Sequence, residues 1–201
     1  MKESKGPPLL RRLAGAVSFL GHPLLTAPVF AGVLAWRRLP PEQAGWVLGS
    51  VLLLVVLPIS LWNLRQTRRG AYTNFDVSER GQRRSFYPLL LALLGLATAA
   101  LFWQRPAGPF RFGMLAVWAM LLACYGLNFW LKVSLHAAMS FFLAGAVGYL
   151  FPGWGGLALA LAALVAASRW VLGRHAPAEL LAGAALGTAT FGGLLWLLRW
   201  A

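Results

Sequence analysis

The chain has 201 residues, of which 59% are hydrophobic and 11% charged, with a mean hydropathy of +0.67. That charge is too sparse to cover a soluble domain of this length, so composition excludes a soluble globular protein and predicts an all-α polytopic membrane bundle. A net charge of +13 does not point to nucleic acid here: Lys and Arg gather in loops and ends, where they meet anionic headgroups, and membrane lipids are the expected partners.

Seven apolar segments can be drawn, over about 13–36, 43–63, 86–103, 112–131, 137–151, 154–172 and 178–198. They predict six or seven transmembrane segments within a single domain, 1–201, since no polar linker is long enough to separate two. The basic start through Arg12 leads into a long apolar run without a small-residue cleavage site, which reads as a retained first helix. Pro23 and Pro28 interrupt that run, so it is expected to kink or to span only in part. His22 lies between apolar residues with no acidic neighbour and is read as a packing residue.

The longest polar stretch, Asn63 to Ser85, holds Arg65, Arg68, Arg69, Asp76, Glu79, Arg80, Arg83 and Arg84. Cys124, the one cysteine, sits in an apolar run and reads as a small packed hydrophobe. Beyond Lys132, Ser134-Leu135-His136 opens the short fifth segment. There Ser134 can cap a helix or donate to an anion, and His136 can pass protons or simply lie at the interface. Phe151-Pro152-Gly153-Trp154 predicts a tight helical hairpin. Trp36, Trp46, Trp62, Trp103, Trp130, Trp170 and Trp196 mostly fall near segment ends, as in an interfacial belt.

The second polar cluster is Ser168-Arg169 with His175 and Glu179. Gly173 can end one helix and Pro177 can begin the next, which puts Glu179 near its third position and His175 just ahead of it. Glu179 can then cap the helix or accept a bond from His175 and fix its tautomer. Arg169 offers a planar fork suited to phosphate oxygens, or an interfacial anchor. Ser168 can reach the same anion. In the last segment, Gly183-x-x-x-Gly187 permits close helix packing, more readily inside the chain than between chains. With two segments between successive polar regions, full spanning would set all three on one side of the membrane. Five acids in total, with Asp76 the single aspartate, argue against two-metal phosphoryl transfer and for an anion held by protein cations, with no cofactor or metal.

At these residues the chain resembles the type 2 phosphatidic acid phosphatase superfamily, the membrane lipid phosphate phosphatases. That family's third motif is Ser-Arg, five residues, His, three residues, Asp; Ser168-Arg169, His175 and Glu179 keep the spacing with Glu for Asp. Its second motif, Pro-Ser-Gly-His, corresponds to Val133-Ser134-Leu135-His136, and its first, Lys, six residues, Arg-Pro, to Arg80 and Tyr87-Pro88. Tyr87 stands where that motif has Arg, and on this resemblance Arg83 or Arg84 would supply the missing cation. The resemblance implies metal-independent hydrolysis of a lipid phosphate or diphosphate, isoprenoid or phosphatidate-type. His175 would be the nucleophile forming a phosphohistidine, Glu179 its orienting carboxylate, and His136 the proton donor and later base. Arg169, Ser168, Ser134, Arg80, Arg83 and Arg84 would hold the phosphate. A lipid phosphotransferase and a non-catalytic headgroup-binding protein are the alternatives. The expected location is a bacterial-type inner (plasma) membrane. Lys2, Lys5, Arg11, Arg12, Arg65, Arg68 and Arg69 on the motif side, against Arg37, Arg38, Arg105, Arg111 and Arg199, lean toward a cytoplasmic site.

Overall fold

The computed structural model describes residues 6–104 and 108–200; Lys2, Lys5 and Arg105, counted above for orientation, lie outside them. Helices and turns make up the described residues, with no strand among them. Five helices are long and apolar enough to cross a membrane: Pro41–Arg68, Arg83–Gln104, Gly108–Leu127, Pro152–Val171 and Pro177–Leu198. Pro8–Leu20 with Pro23–Arg38 makes a sixth if that bent pair is one broken span. The chain folds as two compact units, one of residues up to 27 with 129–195, the other of 28–128 with the residues from 196 on.

The first unit begins with α1 (Pro8–Leu20). The break that follows lies at Gly21-His22, not at the prolines: Pro23 opens α2 (Pro23–Arg38) at its first position, where a missing N–H costs nothing, and Pro28 lies inside it. Gly21 is needed there because a Cβ would come 2.3 Å from Val165 Cγ2. α7 (Leu135–Leu150) has 16 residues, about 24 Å of helix against roughly 30 Å of hydrocarbon. The turn Pro152–Trp154 folds it back onto α8 (Gly155–Val171). At that hairpin a Cβ on Gly155 would meet the Gly148 Cα at 3.1 Å. α9 (Pro177–Leu198) lies against α7 through Gly183 and Gly187, whose added Cβ atoms would come 2.6 Å from the Ser134 carbonyl and 2.1 Å from the Ala138 carbonyl. The glycine pair is therefore used inside the molecule. Leu157, Leu159, Leu161 and Leu164 of α8 stay exposed, as lipid-facing residues do.

In the second unit, α3 (Pro41–Val51) passes through a π segment, Leu52–Val56, into α4 (Leu57–Arg68). Gly70, at φ +74°, ends α4 with paired bonds from Ala71 N to Gln66 O and from Gly70 N to Thr67 O, at 3.0 and 3.1 Å. α5 (Arg83–Gln104) and α6 (Gly108–Leu127) pack together. A core cluster of Ala35, Ala44, Val47, Leu101 and Phe110 joins α2, α3, α5 and α6. The polar stretch before α5 is folded down by its own bonds. Asn63 Nδ2 donates to the Phe75 carbonyl at 3.1 Å, and the Tyr72 hydroxyl meets Trp62 Nε1 at 3.2 Å and Ser85 Oγ at 3.0 Å. Trp62, half-buried near the end of its span, thus donates to Tyr72. Trp36, Trp103 and Trp130 are strongly exposed.

Candidate functional site

The first unit gathers both polar clusters at one end, where α8 finishes and α7 and α9 begin. Gly173, at φ +66°, closes α8 by accepting a left-handed conformation that a Cβ would oppose. Arg174 N bonds Arg169 O and Gly173 N bonds Trp170 O, both at 3.0 Å, satisfying the last carbonyls of the helix. His175 N also reaches the Arg169 carbonyl at 3.3 Å. His175 is thereby held immediately before α9, which Pro177 opens.

Glu179 occupies the third position of α9, and one oxygen meets both expectations raised for it. Its Oε2 accepts the Ala176 N–H at 3.1 Å, the side-chain half of a capping box, and lies 2.8 Å from His175 Nδ1. The longer Glu arm thus reaches the ring at an ordinary charge-assisted length. A carboxylate can only accept, so Nδ1 donates, and the lone pair of the neutral ring sits on Nε2. Lys132 Nζ lies 3.7 Å from the same Oε2 and donates to the Arg174 carbonyl at 2.8 Å.

Ser134 caps α7 by accepting the Ala137 N–H at 3.3 Å, and its own N–H donates to the Glu179 carbonyl at 3.1 Å. That second bond fixes the start of α7 on the first turn of α9. His136, in the first turn of α7, is buried and packs edge-on against His22, with ring centroids 4.9 Å apart. Arg169 is the bulkiest of the fully buried side chains, 1% exposed, and its Nη1 donates to Ser18 Oγ of α1 at 2.6 Å. Ser168 is also buried, and its hydroxyl donates to the Val165 carbonyl at 2.6 Å; its proton serves its own helix instead of the anion anticipated for it.

His175, Glu179, Arg169, Ser168, Ser134 and His136 therefore belong to one unit, whereas Arg80, Arg83 and Arg84 belong to the other. In that second unit Arg80 Nε donates to the Asn128 carbonyl at 2.7 Å, and Asn128 Nδ2 returns a bond to the Arg80 carbonyl at 3.4 Å. Arg83 is buried, its Nε donating to the carbonyl of Val77 at 3.1 Å, while Arg84 is exposed. Both Arg80 and Arg83 brace loop backbone.

Sequence reasoning missed three residues of the first-unit site: His22, Ser18 and Lys132. Ser18 was visible as a hydroxyl in an apolar helix, and Lys132 as a cation two positions before Ser134. As for metal, nitrogens of His22 and His136 come within 4.8 Å of each other. His22 Nδ1, however, accepts the Leu24 N–H at 3.1 Å, which leaves the proton of the neutral ring on Nε2 and no lone pair there for an ion. Compared with protein-family models, curated proteins and solved structures, the chain finds no match.

Proposed function

We propose that this chain is a metal-independent membrane lipid phosphatase working through a phosphohistidine, on an isoprenoid phosphate or diphosphate or a phosphatidate-type glycerolipid. The observation that carries the reading is the bond of 2.8 Å between His175 Nδ1 and Glu179 Oε2, which directs the ring's lone pair to Nε2 in a buried residue beside a helix start. Nε2 attacks phosphorus, a P–N bond forms, and the P–O bond to the lipid breaks as His136 gives a proton to the departing oxygen. Water, losing its proton to His136, then attacks phosphorus; the P–N bond breaks and inorganic phosphate leaves. Buried Arg169 and the positive end of the α9 dipole oppose the charge that builds on the equatorial oxygens.

The reading draws on first-unit residues alone, and two helices that carry them, Pro152–Val171 and Pro177–Leu198, are long and apolar enough to cross a membrane. Its test is phosphate release by purified protein from a panel of lipid phosphates in detergent micelles with EDTA present. Wild type should release phosphate, and His175→Ala should lose about 10³-fold or more of the rate. Recovery of label on a second lipid in place of inorganic phosphate would make the protein a phosphotransferase. An undiminished rate in His175→Ala would sink the phosphohistidine and favour a headgroup-binding role.

A further inference from the structure

His22 is the side chain that caps α2. Its carbonyl accepts the N–H groups of Leu25 and Thr26 at 2.8 and 2.9 Å, and its Nδ1 accepts that of Leu24 at 3.1 Å. Imidazole is an unusual cap, since Ser, Thr, Asp and Asn do the same with fewer atoms. What the ring adds is a second nitrogen. With Nδ1 spent as an acceptor, the neutral ring carries its proton on Nε2, and the cap holds the ring plane as well. That ring stands at 87° to the ring of His136, centroids 4.9 Å apart, with a nitrogen of each within 4.8 Å of the other.

His136 lies two residues after the Ser134 cap and is 5% exposed. A buried imidazole that must first give and then take a proton needs a fixed ring plane, because proton transfer falls off steeply with misalignment. We propose that His22 is a positioning residue for His136: a ring locked in tautomer and plane by the start of α2, whose edge contact holds the proton-transferring imidazole in its working orientation. This rests on the reading of His136 as the proton donor to the leaving oxygen.

Two substitutions separate capping from positioning. His22→Asn places an amide oxygen where Nδ1 accepts, keeping the cap while removing Nε2; His22→Gln carries its amide out to the Nε2 position. Each is compared with wild type on a long-chain alkyl phosphate and on p-nitrophenyl phosphate in detergent micelles. An alkoxide needs protonation to leave, whereas p-nitrophenolate does not, and kcat/KM reports only the steps through phosphohistidine formation, before His136 acts as base on water. In kcat/KM a fault at His136 therefore shows only with the alkyl substrate. For His22→Asn we expect the alkyl kcat/KM to fall about ten- to hundredfold, with the aryl kcat/KM nearly unchanged. His22→Gln should regain most of the alkyl value. Equal losses of kcat/KM on both substrates, or an alkyl kcat/KM for His22→Asn within twofold of wild type, would overturn the inference and leave the phosphatase reading intact. Wild type that releases phosphate from neither substrate would remove both.

Discussion

The backbone N–H of Ser134 donates to the carbonyl of Glu179 at 3.1 Å, so the two polar clusters of the sequence are joined through main chain before any side chain meets. The contact is possible because Gly183, one turn further along α9, has no Cβ to push the Ser134 carbonyl away. A loop bond of this kind sets the register between the residue pair that begins α7 and the His175–Glu179 pair that begins α9.

Gly183→Ala should therefore damage function and stability together. Its Cβ would lie 2.6 Å from Ser134 O and 3.1 Å from Ala137 Cβ, forcing the two helices apart at a cost of about 1–3 kcal/mol. Phosphate release should fall by about tenfold or more, since displacements near 1 Å at a reacting site are costly. Gly192→Ala, with nothing within 4 Å of the new Cβ, should stay within about 0.5 kcal/mol of wild type. Detergent melting curves and phosphate release on the pair check this; matching behaviour of the two variants would refute it.

Glu179→Gln should divide stability from activity. Gln is accepted at the third position of a capping box, so the bond to the Ala176 N–H survives. What goes is the negative charge that Nδ1 of His175 faces at 2.8 Å. Melting should drop by only about 1 kcal/mol, whereas kcat should fall by about 10²- to 10⁴-fold, the range typical of neutralising a carboxylate that orients a catalytic imidazole. A variant that loses stability and rate in proportion would show Glu179 to be a cap and nothing more.

The turn from Ser168 to Glu179 was legible in the sequence because everything that shapes it is local: Gly173 to end α8, Pro177 to start α9, Glu179 two residues later. The Ser134 cap was legible for the same reason. Helix ends were less so. The apolar run drawn over 112–131 stops as helix at Leu127, because Asn128 is drawn aside to bond the Arg80 backbone, which hydropathy does not register. His22 and the Ser18 hydroxyl stand out in the sequence, but nothing there joins them to the site, since their partners His136 and Arg169 come from distant helices; 151 positions separate Ser18 from Arg169. The kink expected of the first apolar run is present as a 43° bend between α1 and α2, but it falls at Gly21-His22, because Pro at a first helical position starts a helix as readily as an interior one breaks it.

Lys132→Met should have a small, salt-sensitive effect. The ammonium lies 3.7 Å from Glu179 Oε2, but the two side chains are 20% and 18% exposed, so water and ions screen the pair. We expect kcat/KM to fall about two- to fivefold at low salt, with the difference narrowing at high salt as the Debye length contracts. Lys132→Arg should behave like wild type. A large loss at every ionic strength would mean that the 2.8 Å bond from Lys132 to the Arg174 carbonyl, and not the charge, is what matters.

Ser18→Ala tests whether the buried guanidinium of Arg169 is held by α1. Nη1 gives Ser18 Oγ a 2.6 Å bond, and both residues are almost wholly enclosed, so truncation removes a charge-assisted acceptor from a place water does not easily fill. The loss in stability should be about 1–3 kcal/mol. If Arg169 holds the phosphate, its loosened fork should also weaken transition-state binding, lowering kcat/KM about tenfold. Ser18→Thr, which keeps the hydroxyl, should restore most of both. Arg169→Lys should not, because an ammonium can neither span two phosphate oxygens in one plane nor keep the geometry of the Ser18 bond. Rates measured beside melting curves decide the point: Ser18→Ala that melts early yet turns over normally at low temperature would make Arg169 a strut between α1 and α8, not a phosphate ligand.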